Sequence, residues 1–150
     1  MAQTLTRLLV HAIFSTKNRT NLIKPDIEPE LYAYIGGICL NAESPLLGAG
    51  GTANHLHLLV SLSRAGSLAD LMMDVKKDSS KWIKTKGRNY KDFHWQGGYG
   101  AFSVSESNRG AAIRYIQRQE EHHRRMTFQE EYRLLCAKHG IEIDERYVWD

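Results

Sequence analysis

Two histidines separated by one hydrophobic residue, His55 and His57 in the run NHLHLLVSL, are the first residues here that could do chemistry. Leu56, Leu58, Val60 and Leu62 alternate along the same run, the signature of a β-strand with one apolar face. Side chains of a strand alternate sides, so both imidazoles leave the opposite face, with Cβ atoms about 7 Å apart. From there two neutral imidazoles can meet at one divalent cation. Seven histidines in 150 residues make such a triplet common by chance, so its weight comes from the strand that surrounds it.

A second group lies in RYIQRQEEHHRR. On a helix turning 100° per residue, Tyr115, Gln119 and His122 fall within about 60° of one another. Arg114, Arg118 and Arg125 flank the tyrosine. Arginines hold phosphate oxygens, and a phenol can attack phosphorus, so this face suits a phosphodiester. The bland alternative is an amphipathic surface helix with a half-buried tyrosine. A third group is the basic run KKDSSKWIKTKGRNYK, in which Lys77, Lys81 and Lys84 stand opposite the apolar stripe of their helix. It is either a solvated face or a contact for nucleic-acid phosphate.

These groups need elements to hold them. Residues 5–17 alternate as a strand. KPDIEPELYAYIGGICLNAE opens with prolines and acids and continues at helical spacing, through Gly36 and Gly37. SPLLGAGGT reads as a short strand and a Gly-rich turn leading by a hairpin into the histidine strand. SLADLMMDVKKDSSKWIKTKG is the clearest helix, with Ser67 as N-cap and Leu68, Leu71, Met72, Val75, Trp82 and Ile83 on one stripe. GAFSVSES is a last strand. NRGAAIRYIQRQEEHHRR reads as one helix capped at Ser107 or Asn108, and FQEEYRLLCAKHG as another that stops at Gly140. The order βαββαβ predicts an α+β, ferredoxin-like fold: an antiparallel sheet with helices on one face, plus C-terminal helices carrying the tyrosine. The leucine face would meet the helices and the histidine face would lie open.

The length suits one domain, residues 1–150. Composition is that of a soluble protein, 42% hydrophobic and 25% charged. The N-terminus lacks the pattern of a signal peptide, and no apolar run reaches bilayer length. Cys39 and Cys136 form no CxxC pair and read as reduced thiols of a cytoplasmic protein. A net charge of +3 permits a polyanionic partner without requiring one.

Together, NHLHLLVSL, WQGGYGAFSVS and YIQRQEEHH…FQEEYRLLCAKHGIEIDERYVW resemble the single-tyrosine HUH-type transposases of small insertion sequences (IS200-like), which include the REP-associated tyrosine transposases. The likeness runs from about HAIFSTKNR to the C-terminus. It implies a divalent metal, Mg²⁺ or Mn²⁺, on His55 and His57, with Gln119 as third ligand. It implies Tyr115 as nucleophile and hairpin-bearing single-stranded DNA as partner, cleaved and rejoined through a 5′-phosphotyrosine with no nucleotide cofactor. It also implies a homodimer in which each site takes its tyrosine from the partner. Gly97, Gly98, Gly100 and Gly110 would equally permit docking in cis. Relatives often carry asparagine where this chain has Arg118. Two other readings use the same residues: a non-catalytic DNA- or RNA-hairpin-binding module, and a metal-binding structural domain.

Overall fold

The computed structural model describes residues 2–150. Its elements are β1 (Leu9–Ser15), α1 (Glu28–Asn41), β2 (Leu46–Thr52), β3 (His55–Ser61), α2 (Leu68–Lys84), β4 (Gly100–Val104), α3 (Arg109–Gln117), α4 (Gln119–His122) and α5 (Phe128–Lys138). The four strands form one antiparallel sheet in the order β2-β3-β1-β4. This is the predicted α+β, ferredoxin-like βαββαβ arrangement. The Ser67 hydroxyl accepts the Asp70 amide at 3.0 Å and starts α2 as expected, a cap worth about 1 kcal/mol.

The period-two alternation of β1 and β3 divides the core. Ala12, Phe14, Leu56, Leu58 and Val60 face α1 and α2, where Leu31, Ile35, Leu71, Met72 and Val75 complete the larger cluster. Residues 9, 11, 13 and 15 of β1 and 55, 57 and 59 of β3 share the other face through the pairs His11↔Leu59, Ile13↔His57 and Ser15↔His55. That face is not open. Leu9 and Leu59 pack on Ile116 of α3, and Ile13 and Phe102 pack on Phe128 and Cys136 of α5. The sheet lies between two helical layers, and the histidine face looks into the second.

Three boundaries depart from the sequence expectation. The first strand is shorter than 5–17, because only residues 9–15 find partners in both β3 and β4 or in β3 alone. The hairpin turn is Ala53–Asn54, and the glycines expected in it lie inside β2. Their place is explained by α3: a Cβ on Gly50 would stand 2.0 Å from the Ile116 carbonyl oxygen, so the helix backbone rests directly on the strand. Finally, the tyrosine helix is broken. Arg118 leaves helical geometry at φ −102°, ψ 25°, which separates α3 from α4. Asn108 holds the N-cap position of α3 without a side-chain capping bond.

Candidate active site

His55 and His57 are brought to the histidine face by strand alternation and are fully buried there. Glu131, in the first turn of α5, meets them. Thr127 caps that helix by accepting the Glu130 amide at 3.1 Å, and the packing of Phe128 on Ile13 and Phe102 aims the next turn inward. The His57 Nε2–H donates to Glu131 Oε1 at 2.9 Å, as does the His123 Nε2–H at 2.9 Å, and His55 Nε2 lies 3.6 Å from the same oxygen. The other carboxylate oxygen accepts the Tyr115 hydroxyl. One donor atom from each of His55, His57, His123 and Glu131 lies within 4.8 Å of all the others, an arrangement able to hold a metal ion.

Hydrogen bonds assign the protons. His55 Nδ1 faces Asn54 Oδ1 at 2.8 Å and Thr52 Oγ1 at 3.0 Å, and Thr52 donates its own hydroxyl to Asn54. The His55 hydrogen therefore sits on Nδ1, leaving a lone pair on Nε2. That lone pair faces Gln119 Oε1 at 3.1 Å, while the Gln119 amide nitrogen donates to the Tyr115 carbonyl at 3.2 Å. Two acceptors facing each other in a buried site are matched by a cation between them. Glu131 points the same way: it is 1% exposed, and its only ion-pair neighbours among the described residues are histidines. The donor set of imidazole nitrogens, an amide oxygen and a carboxylate fits a first-row divalent ion.

Burial sets the charge states. It lowers His55 to about 3, helped by the neighbouring His57 and His123, and lowers His57 for the same first reason. His11, whose Nε2–H donates to His57 Nδ1 at 2.7 Å, is lowered to about 3 by burial and by His57. Burial raises the Tyr115 phenol, and its bond to the Glu131 carboxylate raises it further. Burial alone would also raise the Glu131 carboxyl, but hydrogen bonds from His123, His57 and Tyr115 outweigh it and hold it below the usual range. In this state the proton of the Tyr115–Glu131 pair belongs to tyrosine.

His55, His57, Tyr115 and Gln119 thus come together within one chain. The break at Arg118 buries Gln119 against His55 and lets His123 reach Glu131. His122 packs its ring on Tyr115 with centroids 4.8 Å apart. Arg125 lines an open groove of about 680 Å³ beside His123, together with Arg19 and Arg124, which the sequence reading did not single out. Arg114 and Arg118 are exposed outside that groove. Lys77, Lys81 and Lys84 ride on α2, across the sheet from the cluster. His11, His123 and Glu131 were also missed. Glu131 carried a signal: it stands three residues after Phe128 and four before Leu135, a charge on the apolar stripe of its helix.

Residues 4–119 match the family described as "Transposase IS200 like". No curated protein sequence matches the chain. Among solved structures, it is similar to a protein from Deinococcus radiodurans R1 assigned as a transposase, with 20% identity, a TM-score of 0.62, and coverage of 77% of this chain and 93% of that one. It is also similar to a REP-associated tyrosine transposase bound to a REP hairpin, with 12% identity, a TM-score of 0.55, and coverage of 77% and 70%. At these identities the two structures establish the shared fold. No helix among the described residues is long and apolar enough to cross a membrane.

Proposed function

The chain belongs to the IS200-like transposase family, and from that premise we propose that it cleaves and rejoins single-stranded DNA through Tyr115. The observation that carries this reading is the shared carboxylate: Glu131 takes the phenol on one oxygen and the imidazole cluster on the other. His55, His57 and Gln119 would hold a divalent metal, with His123 and Glu131 beside them; for this the His57 hydrogen would move from Nε2 to Nδ1, where His11 Nε2 would accept it. Bound there, Mn²⁺ or Mg²⁺ supplies Lewis-acid polarisation of a phosphate oxygen. Two imidazoles suit Mn²⁺ the better of the two.

The chain's own residues do the rest. Tyr115 attacks phosphorus in line with the departing 3′ oxygen. A phenol raised by burial is not ionised in advance, so its proton must leave as the bond forms, and Glu131 is the acceptor already in hydrogen-bond contact. The bond Tyr115 Oη–P forms, P–O3′ breaks, and the 3′ oxygen takes a proton from solvent. The product is a 5′-phosphotyrosine that a 3′-OH can attack in reverse, so no nucleotide cofactor is required. His122 and the Gln119 bond to the Tyr115 carbonyl hold the tyrosine in place.

Arg125 lies where it can contact strand phosphates, and Arg114, Arg118, Lys77, Lys81 and Lys84 offer charge for the flanking hairpin from outside the site. The resemblance to a protein bound to a REP hairpin supports hairpin-bearing DNA as the partner. The contacts of Tyr115, Gln119, His55 and His57 within one chain support a site built in cis; a homodimer with exchanged tyrosines would use the same residues. The place of action is the cytoplasm.

Labelled single-stranded DNA from the sequence flanking the gene, incubated with the protein and Mn²⁺, should leave a covalent adduct on Tyr115. Tyr115→Phe should leave none. Binding of hairpin DNA with no metal-dependent adduct in the wild type would replace this reading by the non-catalytic module.

A further inference from the structure

The site has two openings. Tyr115 lines one, of about 420 Å³, with His11, Phe102, Lys138 and His139. His123 lines the other, the arginine groove. No described residue lines both. The Glu131 carboxylate separates them, with the phenol on one oxygen and His123 on the other.

In-line displacement gives these openings different roles. The attacking oxygen, phosphorus and leaving oxygen lie on one line. The strand that keeps the phosphate stays on the tyrosine, and the strand that leaves with the 3′-OH departs on the far side. Resting on the cleavage reading above, we propose that the arginine groove holds the phosphates of the segment 5′ to the scissile bond. The segment that becomes joined to Tyr115 runs out through the other opening.

The groove is built for this. It presents Arg19, Arg124 and Arg125, with Glu120 and Glu130 as its only carboxylates among the described residues. Arg19 is directed there by unusual backbone: Asn18 and Arg19 have φ of 57° and 53°, in the left-handed region. Two side-chain bonds hold that bend, Thr16 Oγ1–H to the Thr20 carbonyl at 2.7 Å and Asn54 Nδ2–H to the Arg19 carbonyl at 3.4 Å. Asn54 is the same residue that fixes the His55 ring, so the groove arginine and a metal-ligating histidine are anchored by one amide. Arg19 spends one donor on the Trp149 carbonyl at 3.0 Å and keeps the rest of its guanidinium for a ligand. The chemistry also asks for such a groove. After cleavage the 5′ segment has no covalent tie, and rejoining requires that its 3′-OH be retained.

The test uses the two products of a strand that the wild-type protein cleaves, as separate oligonucleotides. One ends in the 3′-OH and the other begins at the cleavage point. Their affinities are measured against salt for the wild type and for Arg19→Lys, Arg124→Ala and Arg125→Ala. Each alanine change should lower the salt slope for the 3′-OH oligonucleotide by about one and leave the other oligonucleotide unchanged. Arg19→Lys keeps the charge and should keep the slope. Loss on the other oligonucleotide, on both equally or on neither overturns the assignment, while an intact Tyr115 adduct keeps the parent reading. No adduct from any strand overturns both.

Discussion

Gly50 sets the distance between the Tyr115 helix and the histidine strand, and Gly50→Ala should show it. Gly50 pairs with His57 across β2 and β3. A Cβ there would lie 2.0 Å from the Ile116 carbonyl oxygen, 2.8 Å from its carbon and 3.3 Å from Gln117 Cα. Ordinary carbon–oxygen contacts are about 3.3 Å or longer, so α3 must retreat by roughly 1.3 Å. The obstructing atoms are backbone and cannot rotate away. Overpacking of this kind costs about 1–3 kcal/mol, or roughly 3–10 °C of melting temperature in a chain of this size. Tyr115 is the next residue along the helix, and misplacing a reacting group by about 1 Å can cost about 100-fold in rate. The assays are thermal unfolding and the rate of Tyr115 adduct formation. Gly37→Ala is the control: nothing lies within 4 Å of its Cβ, and it should stabilise α1 by about 0.5–1 kcal/mol with adduct formation unchanged. A Gly50→Ala protein that melts and reacts like the wild type would refute the close docking of α3.

Glu131→Gln keeps the shape of the side chain and removes the proton acceptor; adduct formation should fall about 100-fold or more, measured in single turnover, and a loss under tenfold would clear Glu131 of that role. Metal-free protein should lose stability as pH falls from about 6.5 toward 3. Over that window the unfolded chain protonates His11 and His55 while the folded chain, with both lowered to about 3, does not. The unfolded state binds more protons there, so each histidine contributes up to about 1.4 kcal/mol per pH unit, coupling between them reducing the sum. Urea unfolding at pH 7.5, 6 and 5 measures it, and a flat profile would contradict the buried, neutral cluster. In the folded protein, competition between protons and Mn²⁺ should accordingly set in well below pH 6.5, in titrations checked against His55→Ala and His57→Ala. Replacing Lys77, Lys81 and Lys84 by alanine should leave the adduct rate on a short oligonucleotide within about twofold, while lowering the salt slope for hairpin DNA by up to about three.

The fold was legible because hydrophobic periodicity is local: β3 and α2 each announce themselves in one turn or one pleat. The histidine pair was legible for the same reason; helical spacing named Tyr115 and Gln119 together, but the break at Arg118 is what sets Gln119 against His55. The remainder depends on packing between distant segments. The glycines of β2 look like a turn until α3 is laid on them. The break at Arg118 leaves no proline or glycine to mark it; its effect is to bury Gln119 against His55. His123 and Glu131 belong to the site only because α4 and α5 fold back over a sheet face that sequence alone left open. His11 lies 46 positions from the ring it holds.

In the proposed metal site, charge explains why an amide, Gln119, stands third beside the two histidines and not an acid. Glu131 is a buried anion with no lysine or arginine paired to it among the described residues, and burial keeps His55 and His57 from supplying positive charge. A buried charge without compensation is costly, and a phosphodiester brought to the same place adds a second negative charge. A divalent cation balances those two. Gln119 contributes an oxygen at 3.1 Å from His55 Nε2 without adding charge, so the sum of carboxylate, cation and diester stays at zero. An acid in its place would bind the cation more tightly and leave the incoming diester unbalanced. Such a site would favour a singly charged internal phosphate over a doubly charged terminal one, as the proposed cleavage by Tyr115 requires.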